Sequence, residues 1–131
     1  MHGIHADDPA LMLGRAQALV ELNRHAEALP ILEALGEHGD KGRTPQAAVA
    51  MGRAYHALGQ YAEADDAFAW AIERMPGLEA WARYAVFLND TGRRDEAKTI
   101  VEDLDKRYAK TKSHFRAEAK QWRDFAAEKV G

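Results

Sequence analysis

Apolar residues recur along this chain three and four positions apart. Ala97, Ile100, Val101, Leu104 and Tyr108 fall at i, i+3, i+4, i+7 and i+11, and Phe115, Ala119, Trp122 and Ala126 keep the same spacing near the end. Residues with that period lie on one side of an α-helix, so each segment is expected to bury one stripe and leave its charges in water. Strand-like alternation nowhere lasts beyond a few residues, and Val, Ile and Thr are few beside Ala, Leu and charged residues. The pattern breaks at Asp7-Asp8-Pro9, Leu22-Asn23, Gly36 to Pro45, Gly59, Pro76-Gly77, Gly92 and Ser113. The breaks predict an all-α fold of seven helices, at about residues 8–22, 25–37, 45–58, 61–74, 78–91, 94–108 and 113–130.

The helices fall into a repeat. "NRHAEAL" at 23–29, "GQYAEAD" at 59–65 and "GRRDEAK" at 92–98 superpose, with alanines at 28, 64 and 97 spaced by 36 and then 33 residues. This predicts three helical hairpins and one extra helix. Gly59 stands where the chain must turn back, a role for a residue that accepts positive φ, and Asn23 and Gly92 occupy the equivalent positions. Ala64 is expected to face Gly52 across its hairpin, so that the helix axes approach to about 8–10 Å, with Tyr55 and Phe68 filling the space beside that contact. Ala71 leaves room for the next hairpin, and Pro76 forbids helix at Met75. Thr44, before Pro45, and Ser113 are expected to cap the helices that follow them. Pro30, inside the second helix, forgoes a hydrogen bond to Ala26.

These residues resemble the tetratricopeptide repeat, a helix-turn-helix unit of about 34 residues. Over 45–78 the matching positions are Met51, Gly52, Tyr55, Gly59, Tyr61, Ala64, Phe68, Ala71 and Pro76; over 78–111 they are Trp81, Ala85, Leu88, Gly92, Ala97 and Val101; over 9–44 they are Met12, Ala16, Leu19, Asn23, Ala28 and Leu32. The first repeat departs from the pattern at Arg15 and Leu35, and it ends in "GEHGDKGRT" without its proline, which makes it the loosest expected repeat or an internal repeat stripped of its predecessor. The resemblance implies one domain over 1–131: a right-handed superhelix of repeats at about 9–44, 45–78 and 78–111, closed by a capping helix at 113–130 that covers Ile100 and Leu104. It further implies a non-enzymatic scaffold that binds a peptide or helix of a partner protein in a concave groove. The first helices of the hairpins would line that groove with Leu13, Gln17, Val20, Val49, Ala50, Arg53, His56, Glu79, Arg83, Val86 and Asn89. The family's carboxylate clamp for chaperone tails is not expected, because its positions read Leu13, Gln17, Ala50 and Glu79, with only Arg83 in agreement. Trp70 points away from the buried stripe, so it either lies under a neighbouring loop or makes a partner contact on the convex side. With "HADDPAL" at its start and its basic tail, the chain is also similar to the C-terminal repeat region of membrane-anchored bacterial proteins. This suggests a second role, as a structural or oligomerisation module of a larger chain.

Composition narrows the chemistry. At 131 residues the chain can bury a core unaided, and without cysteine it has no thiol nucleophile, Cys-ligated zinc or disulfide. No apolar run spans a bilayer and no signal peptide opens the chain; a cytoplasmic domain is expected, or one tethered through a segment outside this sequence, and the abrupt start reads as a cut in a longer chain. His2, His5, Asp7 and Asp8 could gather a divalent cation, but on a terminus nothing fixes their geometry. Lys41 among Gly36, Gly39 and Gly42 fails the order of a phosphate-binding loop. The pairs Asp65-Asp66, Asp95-Glu96 and Glu102-Asp103 point about 100° apart on a helix and share no site. Ser113, the one serine, lies outside any nucleophile motif. No cofactor, metal or small-molecule substrate is expected, and the chain should be a monomer or a weak homo-oligomer.

The net charge of −3 conceals an asymmetry: residues 105–131 carry 8 basic against 4 acidic side chains, while 1–104 carry 10 against 17. Lys106, Arg107, Lys110, Lys112, Arg116, Lys120 and Arg123 could meet a nucleic acid or an anionic membrane. With Glu118, Asp124 and Glu128 interleaved, a solvated helix face is the expected reading.

Overall fold

The computed structural model describes residues 8–131. Among them are seven α-helices and no strand: α1 (Pro9–Glu21), α2 (His25–Gly36), α3 (Pro45–Ala57), α4 (Tyr61–Ile72), α5 (Glu79–Asp90), α6 (Arg94–Ala109) and α7 (Arg116–Val130). Short 3₁₀ turns occupy Gly39–Lys41 and Ser113–Phe115. The expected seven-helix, all-α hairpin fold is what forms.

One turn is used three times. Asn23, Gly59 and Gly92 hold φ of 60°, 78° and 89°, the left-handed conformation that glycine and asparagine accept most readily. At each, the residue's own N–H donates three residues back, and the next residue's N–H donates five back: Arg24 to Leu19 O at 2.8 Å, Gln60 to Tyr55 O at 2.9 Å and Arg93 to Leu88 O at 2.8 Å. This pair of bonds satisfies carbonyls that the helix end leaves open and reverses the chain. In two of the turns the following arginine then forks onto a glutamate in the next helix, Arg24 to Glu27 and Arg93 to Glu96.

Capping at the other helix starts follows the sequence in part. Asp8 Oδ1 accepts from the Ala10 and Leu11 N–H groups at the head of α1, and Thr44 Oγ1 accepts from Ala47 N–H at 3.1 Å. Ser113 does not cap α7. It opens the 3₁₀ turn instead, and α7 starts at Arg116 without a side-chain cap. Pro30 sits inside α2, where it and Ala26 are both exposed, so water can satisfy the carbonyl that proline leaves unbonded.

The contacts divide the chain into two compact units, one running to Ala71 and the other from Ile72 to Gly131. In the first, Met12, Ala16 and Val20 of α1 pack with Ala28, Leu32 and Leu35 of α2 and Ala47, Ala50 and Ala54 of α3. Within the second hairpin, Gly52 lies against the ring of Phe68, where a Cβ would come within 2.8 Å. The ring of Phe68, expected beside the approach of Ala64 to Gly52, is thus the group that the missing side chain admits. The 36–44 connection folds back on itself: Gly42 is buried so close to Leu35 that a Cβ would meet its carbonyl oxygen at 1.9 Å. Leu35, too large for the repeat pattern, is fully buried there. In the second unit, α7 packs on both α5 and α6. Ala119 and Ala126, with Trp122 and Phe125 beside them, close over Leu78, Ala82, Leu104, Ile100 and Val101, as a capping helix should.

Candidate protein-interaction faces

In the first unit α1 and α3 are neighbours, and Arg53 Nη1 of α3 donates to Glu21 Oε1 of α1 at 2.8 Å. His56 lies one turn further along α3, its ring edge-on to Tyr61 with centroids 6.3 Å apart. Leu13 is half-buried and Gln17 exposed. These four residues and Glu21 make a mixed face of apolar, amide and charged groups. Three residues expected there are not available. Val20 is only 1% exposed because it continues the buried stripe Met12–Ala16–Val20, and Val49 is 4% exposed in a first turn of α3 that is buried on all sides from Ala47 to Ala50. Ala50 is withdrawn with them. Repeat phase alone does not set the boundary between exposed and buried side chains on α1 and α3.

Behind this face, His25 Nδ1 is buried with no hydrogen-bond partner. Burial, and then the charges of Arg53 and His56, hold the imidazole pKa below its usual value, since protonation would create a buried N–H with nothing to receive it.

In the second unit the expected groove residues are largely taken by α7. Arg83 donates from Nε to Glu79 Oε2 at 2.9 Å, and its guanidinium lies 4.8 Å from the Trp122 ring centroid and 5.6 Å from that of Phe125. Its side chain is 15% exposed, so Arg83, expected to line the groove, fastens the capping helix. Asn89 Nδ2 reaches the Lys129 carbonyl at 3.5 Å, and Val86 is half-buried. Nothing in the spacing of α5 announces that α7 will occupy this side.

Four of the seven candidate cations of the basic tail are similarly engaged. Arg116 and Arg123 lie over the Tyr108 ring at 4.4 and 4.3 Å, and Arg107 over Trp81 at 4.8 Å while its Nε meets Asp103. Lys120 and Arg123 both hold Asp124, at 2.6 and 2.9 Å, which keeps that carboxyl below the usual carboxylate range. Cations committed to rings and carboxylates favour a structural reading over a phosphate-binding one.

Trp70 is half-buried and lines a groove of about 380 Å³ between α2, α3 and α4, together with Leu32, Met51, Tyr55 and the loop residues Gly42, Arg43 and Thr44. Burial, then Glu33 and Glu63, raises the Tyr55 phenol pKa. A second hollow of about 520 Å³, in the other unit, is lined by Pro76, Leu78, Arg107, Lys110, Phe115 and Ala119 among others. Of the proposed metal ligands, Asp8 caps α1, and His2, His5 and Asp7 lie outside the described residues. Among the described residues no three His, Cys, Asp or Glu side chains gather as metal ligands would. No helix there is long and apolar enough to cross a membrane.

A family model of the tetratricopeptide repeat matches residues 9–34 and 45–70, which span most of the α1–α2 hairpin and nearly all of α3–α4. No curated protein and no solved structure matches the chain.

Proposed function

The chain is a tetratricopeptide repeat protein, and on that premise we propose that it binds a partner protein through the α1–α3 face of its first unit. Repeats of this family generally mediate protein–protein interaction and form a non-enzymatic scaffold type. The reading extends the repeat count by one. The α5–α6 hairpin carries the same turn at Gly92, with the same pair of bonds, as the two hairpins that the family model matches. Residues 9–44, 45–78 and 78–111 are then three repeats, and 113–130 their cap.

The observation that carries the reading is the juxtaposition of Leu13, Gln17, Glu21, Arg53 and His56 on adjacent helices. An apolar side chain, an amide and two charges within one face suit an extended peptide or a helix that presents both an apolar anchor and hydrogen-bonding groups. Glu79, Val86 and Asn89 of α5 are proposed as accessory contacts only, and Arg83 is assigned to α7.

The test starts from affinity capture with the whole chain as bait. The protein retained is then titrated against wild type and Arg53→Glu. The Arg53 side chain is 27% exposed and its ion-pair partner Glu21 63%, a surface pair worth about 0–1 kcal/mol to folding, so the variant should keep its helical signal. Affinity is expected to fall by roughly tenfold or more, about 1.4 kcal/mol. A partner that binds both proteins equally would overturn the assignment of this face.

A further inference from the structure

Phe115 breaks its own pattern. Its spacing with Ala119, Trp122 and Ala126 assigns it to a buried stripe, yet it is 58% exposed. The cause is local: residues 113–115 form a 3₁₀ turn and α7 begins one residue later. A 3₁₀ turn advances about 120° per residue against about 100° in the α-helix, which carries the ring off the stripe. Among the described residues Phe115 is the exposed phenylalanine, whereas Phe68 and Phe87 are fully buried. Lys110, Lys112, His114 and Arg116 flank it, in the basic C-terminal stretch, where 8 basic side chains stand against 4 acidic ones over residues 105–131. Departures from local consistency of this kind concentrate at functional positions.

The groove between α2, α3 and α4 is its complement. Leu32, Ala47, Met51 and Trp70 make it apolar, and Glu33, Glu63 and Asp66 are exposed along it against one cation, Arg43. Its volume of about 380 Å³ falls within the range of pockets that hold small organic groups. On α3, Met51 lies two residues, or about 200°, from Arg53, so this groove is on the far side of the helix from the face assigned above.

We propose that the chain associates with a second copy of itself head to tail, Phe115 of one copy entering the α2–α3–α4 groove of the next. Lys110 and Lys112 then approach Glu33, Glu63 and Asp66. The two surfaces differ, so each added copy leaves one groove and one Phe115 unfilled, and the assembly grows with concentration unless it closes into a ring. One aromatic side chain and a few rim charges bury far less than a standard interface, which puts the dissociation constant on the order of 100 µM.

Sedimentation equilibrium of the whole chain tests this, using Phe115→Ser and the double substitution Glu63→Lys with Asp66→Lys. All three positions are exposed, so folding is retained and is checked by circular dichroism. The weight-average mass of wild type is expected to rise over a concentration series reaching about 1 mM, and to fall back when roughly 0.5 M salt screens the rim. Each variant alone should stay monomeric. An equimolar mixture of the two variants, one with an intact groove and the other with an intact Phe115, should give a one-to-one dimer and nothing larger. The proposal is overturned by a wild type that remains monomeric, which would leave the groove to a different protein. It is equally overturned by Phe115→Ser associating as wild type does, or by a mixture that stays monomeric.

Discussion

At Gly52 two opposed effects meet in one side chain. Replacing an interior helical glycine by alanine ordinarily stabilises a helix by about 1 kcal/mol. Here the new methyl would stand 2.8 Å from three atoms of the Phe68 ring, and that ring is itself fully buried, so it has nowhere to swing. Overpacking of this sort costs about 1–3 kcal/mol, and the clash outweighs the gain. Gly52→Ala is therefore expected to lower the urea midpoint, and Phe68→Leu in the Gly52→Ala background to recover part of the loss. A raised midpoint in the single variant would refute the contact. The smallness of position 52 and the presence of Phe68 beside it were legible from the repeat, but the direct approach of the ring to Gly52 was not. Spacing alone pointed to Ala64 because it ranks positions by their phase and carries no information on how far a ring reaches across a hairpin.

Helices were read to within a few residues wherever the signal was local. The period of the apolar stripe, the left-handed residue after each first helix and Thr44 before Pro45 are properties of neighbours in sequence. The departures from the sequence pattern share a different cause. Ser113 lost its capping role because the chain entered α7 through a 3₁₀ turn, and Arg83 lost its groove because α7, some forty residues later, lies beside it. For Arg83 the consequence can be measured. Arg83→Glu removes a guanidinium held over Trp122 and Phe125 and repels Glu79. It is expected to cost about 1–2 kcal/mol, a fall in Tm of several degrees, whereas Arg53→Glu should move Tm little. Equal and small shifts for both would mean that Arg83 does not fasten the cap. The pair also shows why a groove test built on Arg83 would confuse unfolding with lost binding.

For the molecule as a whole, the division at Ala71 and Ile72 carries an energetic expectation. In repeat proteins stability is close to a sum of repeat and nearest-neighbour contributions, so segments open separately when their cores are separate. Leu104 is fully buried in the core that α7 closes, and the core of Met12, Leu32 and Leu35 does not include it. Leu→Ala at such a site costs about 2–5 kcal/mol, comparable with the roughly 3–9 kcal/mol that a unit of this length holds. In Leu104→Ala, amide hydrogen exchange is expected to accelerate across residues 72–131 while residues 8–71 keep most of their protection. Uniform loss along the chain would show one cooperative body instead. The same variant separates the two proposed activities. Partner binding on α1 and α3 belongs to the protected unit and should survive, whereas docking of Phe115 needs the turn that leads into α7 and should be lost with it.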